Sequence, residues 1–406
     1  MSAQSQNNHT SPLVVLTTLF FMMGFITCMN DILIPHLKEI FDLSYVQSML
    51  IQFCFFTAYA VMSIPMGAFV GKVGYKNGVI GGFLLTAVGC LLFYPAAGSH
   101  SYAVFLGALF ILASGVTLLQ VAGNPYVTLL AKPGKESATL TLVQAFNALG
   151  TTIAPQIGAF LILADATQTV SKAEQISSVQ IPYLGLAGLL IILAVFVKMI
   201  RLPDARKLPP RKARTTTGKT SVWQYKHLVF GTAGIFCYVG AEVSIGSLMV
   251  NVLGYLKGLD HASAAHYLSF YWGGAMVGRF LGSAVMAKFA PNRYLAFNAS
   301  AAVVLLAVAM ATGSGNADVA MWSLLAIGFF NSIMFPTIFS LATKGLGKFT
   351  NAASGVLCTA IVGGAVVPVV QGWVADTYTL MSSFVVSVIC YLYIVFFAVY
   401  GYRADK

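Results

Sequence analysis

The chain has 406 residues, of which 58% are hydrophobic and only 9% are charged, and its formal net charge is +11. Because soluble domains carry about 25% charged residues, this composition excludes a protein whose whole surface faces water. The basic residues are spread over short loops between apolar runs, which argues against a nucleic-acid-binding face. We therefore expect an integral membrane protein that contacts lipid and binds no nucleic acid.

Twelve apolar segments follow one another along the chain, each long enough to cross a bilayer as a helix of about 20 residues. Their approximate spans are 13–37, 46–71, 77–97, 102–130, 138–164, 181–201, 226–256, 264–288, 293–313, 319–343, 351–375 and 379–401. This pattern predicts an all-α integral membrane fold, with twelve transmembrane helices in two pseudo-symmetric six-helix bundles.

The first segment carries Asn30 and Asp31 in its second half. A carboxylate at that depth costs about 2.5–3.5 kcal/mol on insertion scales unless it faces a bundle interior or water. We interpret Asp31 as the group that binds the coupling proton or cation, and Asn30 as a substrate-binding residue. The alternative is that Asp31 lies near a helix end and is hydrated from outside.

The fourth segment places Gln120 and Asn124 four residues apart, hence on one helical face. Pro125 has no N–H, so the carbonyl of Val121 loses its helical partner. Two amides beside a free carbonyl would form a cluster of hydrogen-bond donors and acceptors. The alternative is that the amides only join neighbouring helices.

The fifth segment repeats the pattern with Gln144 and Asn147, three residues apart. Amide side chains both donate and accept hydrogen bonds, which suits a ligand with several hydroxyl groups. Two such pairs favour a sugar or another polyol over a lipophilic cation. We therefore predict that the amides of the fourth and fifth segments bind substrate.

One long polar connection, rich in proline and basic residues, follows the sixth segment. This composition is typical of a solvated linker. We therefore expect a first bundle over 1–200, a linker over 201–225 and a second bundle over 226–406. With the N-terminus inside, all of the 23 Lys and Arg residues except Lys38, Lys172 and Lys257 lie on the cytoplasmic side, which places both termini there.

The two halves echo one another, as the repeats of transporters do. A carboxylate lies inside the first segment of each half, and prolines interrupt the corresponding fourth and fifth segments. The matched pairs are Asp31 with Glu242, Pro125 with Pro336, and Pro155 with Pro368.

In the second half, Glu242 is a second carboxylate at membrane depth, and sequence leaves its protonation state open. The eighth segment offers aromatic rings on which a sugar can stack, at Tyr267, Phe270, Tyr271 and Trp272. We predict that Glu242, Trp272 and Asn331 bind substrate, the alternative for aromatic residues being lipid contact or packing. Arg279, near the inner end of this segment, is expected to hold helix carbonyls or a carboxylate.

Four motifs together resemble those of the fucose–galactose–glucose:cation symporters of the major facilitator superfamily. They are Asn30 to Pro35, Gln120 to Tyr126, Gln144 to Asn147 and Phe335 to Leu341. The resemblance runs the full length and is greatest to the bacterial glucose/galactose transporter branch, over Cys237 to Leu248 and Tyr267 to Gly282.

In the fucose:proton branch, a helix-one aspartate and a helix-four glutamate are implicated in proton-coupled transport. The resemblance carries the aspartate to Asp31, whereas the glutamate position is Gln120 here. Conversely, the fucose branch has glutamine where this chain has Glu242. Some members of the family depend on sodium, so both H⁺ and Na⁺ stay open, and Asp31 would be a metal ligand only for Na⁺.

These observations predict a transporter that imports a neutral hexose, such as glucose or galactose, by symport with H⁺ or Na⁺. We expect a monomer in the bacterial inner membrane, with no cofactor besides the co-transported cation. The alternatives are a proton-coupled antiporter that exports lipophilic compounds, and a non-transporting sugar sensor. An enzyme is disfavoured, since no nucleophile–base pair or metal motif stands at membrane depth.

Overall fold

The computed structural model describes residues 10–40, 45–99, 101–162, 172–200, 202–203 and 220–404. The side chains of 10–11, 29–40, 45–49, 97–99, 155–162, 172–179 and 261–262 lie outside this description. Asn30, Asp31 and Pro155 are among them, and most of the predicted linker also lies outside the described residues.

The described chain is almost entirely helical. Its α-helices are α1 (Thr10–Ile40), α2 (Tyr45–Val73), α3 (Tyr75–Ser99), α4 (Tyr102–Leu130), α5 (Glu136–Ile162), α6 (Lys172–Met199), α7 (Lys226–Lys257), α8 (His261–Met286), α9 (Pro291–Thr312), α10 (Ala317–Asn331), α11 (Met334–Ala342), α12 (Thr350–Thr359), α13 (Gly363–Thr377) and α14 (Val385–Phe396). Short 3₁₀ turns occur at Val222–Gln224, Gly347–Phe349, Ala360–Val362 and Ser382–Phe384, and a π-helical turn at Phe397–Gly401 follows α14.

Each of the twelve predicted segments coincides with a helical span of the described chain. The tenth is divided into α10 and α11, and the eleventh into α12 and α13 with a 3₁₀ turn between them. Within the described residues, nine helical runs are long and apolar enough to cross a membrane, and Pro12–Cys28 adds a shorter apolar one. The all-α membrane fold with twelve spans is therefore confirmed.

Helix boundaries follow local chemistry at several places. Gly74, with φ of 86°, and Gly258, with φ of 65°, adopt left-handed conformations that end α2 and α7. Pro291 opens α9, where its missing N–H costs nothing. The side chain of Asn316 accepts a hydrogen bond from the Val319 amide, 3.2 Å away, and so caps α10.

The chain divides into two compact units, each of which takes in short pieces from distant parts of the sequence. Unit 1 comprises Met1–Leu130, Phe146–Pro210 and Ser354–Thr359. Unit 2 comprises Ala131–Ala145, Arg211–Ala353 and Ala360–Lys406. The first part of α5 therefore belongs to unit 2, and the second part of α12 belongs to unit 1.

Glycines let helices approach closely inside each unit. In unit 1, a side chain on Gly115 would overlap the backbone of Thr86, so α4 lies directly against α3. In unit 2, a side chain on Gly328 would overlap the backbone of Tyr271, so α10 lies directly against α8. Such contacts replace the hydrophobic effect as a source of helix association in lipid, and they bring the polar groups described next within reach of one another.

Candidate functional site

In unit 1, the polar face of α4 meets a tyrosine of α2. Gln120 is half-buried, and its Nε2 donates a hydrogen bond to the buried Tyr59 hydroxyl at 2.9 Å. Asn124, one turn later on the same face, is fully buried. The amide oxygen of Gln120 takes no part in the bond to Tyr59, so it can accept a hydrogen bond from a ligand.

The carbonyl of Val121 is occupied, contrary to the expectation that Pro125 would leave it free. The hydroxyl of Ser354, a fully buried residue of α12, donates to it at 2.8 Å. Buried carbonyls that lack a helical donor take a side-chain partner because an unpaired group is costly. Ser354 stands 233 positions from Val121 in sequence, and no local pattern points to the pairing.

The fifth helix uses one of its amides to hold α1. Asn147 Nδ2 donates to the Phe20 carbonyl at 2.8 Å, and a side chain on Gly24 would overlap the backbone of Asn147. Asn147 therefore joins two helices of unit 1, which is the alternative role predicted for intramembrane amides. Gln144, three residues earlier, is buried within unit 2.

In unit 2, a carboxylate and a guanidinium face each other between α7 and α8. Glu242 Oε1 lies 3.8 Å from Arg279 Nη2, and the two side chains are only 12% and 16% exposed. Oε1 is buried and makes no hydrogen bond, and the same holds for the Tyr238 hydroxyl one turn earlier. Neither atom reaches full hydrogen-bond geometry, although the Tyr238 hydroxyl and the Glu242 carboxylate interact with each other and the carboxylate also pairs with Arg279.

Arg279 also binds main chain, as the sequence led us to expect. Its Nε donates to the carbonyl of Ser332 at 3.2 Å, at the point where α10 gives way to α11. The guanidinium thus contacts both a carboxylate of α7 and the interruption of the tenth segment.

Asn331 is fully buried between two tyrosines. Its Nδ2 donates to the Tyr271 hydroxyl at 2.8 Å, and its Oδ1 accepts from the Tyr391 hydroxyl at 2.7 Å. The Tyr271 hydroxyl in turn donates to the Glu242 carbonyl at 3.2 Å. Both ends of the Asn331 amide are therefore engaged, and they join α10 to α8 and α14, with α7 reached through Tyr271.

The aromatic residues of α8 separate into different environments. Tyr267 and Phe270 pack edge-on against Trp322 of α10, with ring centroids 6.3 and 5.9 Å away. Trp272 instead lies over α7, where a Cβ added to Gly246 would be 3.0 Å from the indole. Gly246 is one turn from Glu242 on the same helical face, so Trp272, 43% exposed, packs one turn along α7 from Glu242.

Four participants were not singled out as substrate-site residues by sequence: Tyr59, Tyr391, Ser354 and, in its double contact, Arg279. A tyrosine hydroxyl at membrane depth signals a hydrogen bond, but its partner depends on tertiary packing.

Among residues with described side chains, no group of three or more His, Cys, Asp or Glu is arranged to hold a metal. Asp31, the predicted cation ligand, lies outside those residues.

Comparison of the sequence and structure with known proteins identifies the family to which the chain belongs. The profile of the Major Facilitator Superfamily matches residues 14–367. The chain is 54% identical to the glucose/galactose transporter of Brucella abortus, over 98% of this chain and 96% of that protein. It is 31% identical to the L-fucose-proton symporter of Escherichia coli, over 98% of this chain and 94% of that protein.

Among solved structures, the crystal structure of the Escherichia coli fucose:proton symporter FucP resembles this one with a TM-score of 0.84. The two are 30% identical, and the match covers 96% of this chain and 98% of that chain. The chain therefore belongs to the Major Facilitator Superfamily.

Proposed function

We propose that this protein is a secondary active transporter that imports a neutral hexose, of the glucose or galactose type, by symport with a cation. A relative that shares 54% of its residues is named a glucose/galactose transporter, and one that shares 31% is named an L-fucose-proton symporter. The protein would work by alternating access, which exposes the binding site to one side of the membrane at a time.

The observation that carries the proposal is that unit 2 presents a buried carboxylate, Glu242, and an aromatic ring, Trp272, one helical turn apart along α7. Oε1 of Glu242 is a buried acceptor without a hydrogen bond, and the indole of Trp272 is partly exposed one turn away. A carboxylate accepts hydrogen bonds from sugar hydroxyls, while an aromatic ring covers the apolar face of a pyranose. A lipophilic cation could also bind a carboxylate and an aromatic ring, so the amides described next are what favour a sugar.

Amides complete the proposed recognition. We assign Gln120, Asn124 and Gln144 to sugar hydroxyls, in keeping with the donor and acceptor capacity of their side chains. Asn147 and Asn331 take supporting roles in this scheme, because their amides already hydrogen-bond Phe20 and two tyrosines. Asn30 stays a predicted ligand.

Asp31 is the proposed coupling residue. The relatives named proton symporters favour H⁺ as the coupled ion. Na⁺ is the alternative, and oxygen atoms of Asp31 and neighbouring amides would then be its ligands. We further propose a monomer of two halves, residues 1–200 and 226–406, in the bacterial inner membrane with both termini in the cytoplasm.

The test is counterflow and gradient-driven uptake by purified protein in proteoliposomes. We expect uptake of labelled glucose or galactose that an opposing unlabelled hexose accelerates. Imposing proton and sodium gradients in separate experiments identifies the coupled ion. Export of hydrophobic cations without hexose flux would make the protein a drug antiporter, and sugar binding without flux would make it a sensor.

Substitutions test the site itself. Glu242→Gln and Gln120→Ala should each weaken hexose binding by about tenfold, because each removes an acceptor or donor worth about 1–2 kcal/mol. The measurement is quenching of tryptophan fluorescence by sugar in purified protein. Unchanged affinity in both variants would contradict the proposed site.

A further inference from the structure

The tenth predicted segment is interrupted in the described structure. Ser332 and Ile333 separate the end of α10 from the start of α11. Pro336 stands four residues after Ser332 and has no N–H, so the Ser332 carbonyl cannot receive the usual helical bond. The donor it receives instead is Nε of Arg279, 3.2 Å away.

Glycines of α8 bring this interruption close to Arg279. Side chains added to Gly278 and Gly282, four residues apart, would overlap atoms of Ser332 and Ile333. The side chains of Ser332 and Ile333 therefore pack directly on α8, which has no room for a side chain at Gly278 or Gly282. This close approach is what lets a side chain of α8 donate to main chain inside the tenth segment.

The same guanidinium reaches Glu242 with a second nitrogen, Nη2, which lies 3.8 Å from Oε1. A planar guanidinium has five donors in a fixed fork, so it can contact a carbonyl and a carboxylate at once, whereas a lysine ammonium is a compact point charge. Arg279 is therefore a physical bridge between the carboxylate of α7 and the interruption of the tenth segment.

The first half provides a contrast. The Val121 carbonyl, four residues before Pro125, is also deprived of a helical donor, but Ser354 supplies a neutral hydroxyl there. α4 runs through its proline as one helix, Tyr102–Leu130. A charged bridge to a carboxylate thus accompanies the interrupted helix, while a neutral bond accompanies the continuous one.

We propose that Arg279 is a positioning residue for transport, which links sugar binding at Glu242 to movement at the interruption of the tenth segment. The inference rests on the proposed function, in which hexose hydroxyls bind the Glu242 carboxylate. Those hydroxyls compete with Arg279 for the carboxylate. The competition changes the strength of the hydrogen bond between Arg279 and the Ser332 carbonyl. By linkage, movement at Ser332 and Ile333 then changes sugar affinity by the same free energy.

The decisive variant is Arg279→Lys. Lysine keeps the positive charge beside Glu242 but lacks the several N–H donors in fixed geometry that let a guanidinium contact a carbonyl and a carboxylate together. We expect hexose affinity to stay within about threefold of the wild type, while turnover per sugar-binding site falls by about tenfold or more. Counting binding sites by fluorescence titration removes any loss of folded protein from the turnover value. Arg293→Lys, the same change at an exposed arginine of α9, is the matched control and should behave like the wild type.

A second variant tests the interruption without touching Arg279. Pro336→Ala restores an N–H that can bond to the Ser332 carbonyl, so it should also lower turnover, while hexose affinity stays within the same range of about threefold. If both residues act on one element, the double variant Pro336→Ala/Arg279→Lys will turn over no more slowly than the slower single variant. Losses that multiply would show that the two residues act independently.

The outcomes separate the two proposals. Wild-type protein that neither binds nor carries a hexose would overturn the proposed function. Wild-type protein that transports hexose, with normal turnover in Arg279→Lys, would overturn the inference alone. Should Arg279→Lys fail to fold, unchanged turnover in Pro336→Ala would overturn it equally.

Discussion

At the scale of single residues, a few polar side chains are buried although burial of a polar group costs free energy. Such groups are expected to have a functional role. Glu242 and Arg279 are nearly buried, and Oε1 of Glu242 has no hydrogen bond even though a guanidinium lies 3.8 Å away. A buried ion pair is weak evidence for stability, since desolvation offsets much of the attraction. A buried carboxylate oxygen that has an ion pair but no hydrogen bond can still accept one from a ligand, which favours a binding role over a purely structural one.

Trp272 and Phe270 allow a matched test of the aromatic contribution. Trp272→Ala should raise the apparent KM for hexose by about tenfold, because an aromatic ring that stacks on a bound sugar contributes about 1–2 kcal/mol. Phe270→Ala should leave KM unchanged, since Phe270, 50% exposed, packs against Trp322 and not over Gly246. Counterflow rates at varied hexose concentration give both values, and equal effects would contradict the assignment of Trp272.

At the scale of elements, Pro125 and Pro336 each leave the carbonyl four residues earlier without a helical donor. A different neighbouring helix supplies the missing hydrogen bond in each case. In unit 1, α12 supplies the Ser354 hydroxyl to α4. The same helix lies directly against α2, because a side chain on Gly355 would overlap the backbone of Ser63. In unit 2, α8 supplies Arg279 to the tenth segment. Each helix that contains such a proline therefore depends on a neighbour for its backbone hydrogen bonding.

This dependence predicts a stability effect in unit 1. Ser354→Ala leaves the Val121 carbonyl buried without a partner and should lower the free energy of unfolding by about 1–3 kcal/mol. Thermal unfolding of the purified protein in detergent measures the loss. Thr359→Val is the control in the same helix, because the Thr359 hydroxyl only bonds to Gly355 within its own helix, and we expect a change below about 0.5 kcal/mol.

A rescue experiment identifies the cause. Pro125→Ala supplies the N–H that Val121 lacks, so Ser354→Ala should cost much less in the Pro125→Ala background than in the wild type. An undiminished cost would show that Ser354 acts through packing and not through the carbonyl of Val121.

At the scale of the whole molecule, transport requires that the coupled ion and the sugar promote each other's binding. The proposed coupling residue is Asp31 of α1, and the proposed sugar carboxylate is Glu242 of α7. If the two carboxylates have separate roles, a substitution at Asp31 should uncouple sugar transport from the ion gradient without removing the sugar-binding carboxylate.

Asp31→Asn should therefore abolish accumulation of hexose against its gradient, because an amide neither binds a proton in this pH range nor attracts a cation as a carboxylate does. Exchange of labelled for unlabelled hexose should persist, since it needs no net ion movement. Uptake by proteoliposomes with and without an imposed gradient measures both. Full concentrative uptake by Asp31→Asn would remove Asp31 from the coupling mechanism.

Much of this protein is determined by sequence alone. Apolar runs of bilayer length predict every helical span that the structure describes, since a chain in lipid can satisfy its backbone only by forming helices or a closed barrel. The depth of Glu242, the shared face of Gln120 and Asn124, and the resemblance to sugar symporters follow from the order of residues. Local periodicity and composition suffice for such features.

Only the tertiary structure decided which of these polar groups are already engaged. Ser354 takes the Val121 carbonyl, and two tyrosines take both ends of Asn331. Trp272 lies over Gly246, whereas Phe270, two residues earlier, packs against Trp322. These contacts join residues tens to hundreds of positions apart, so they depend on how helices pack, which the period of a single helix does not contain.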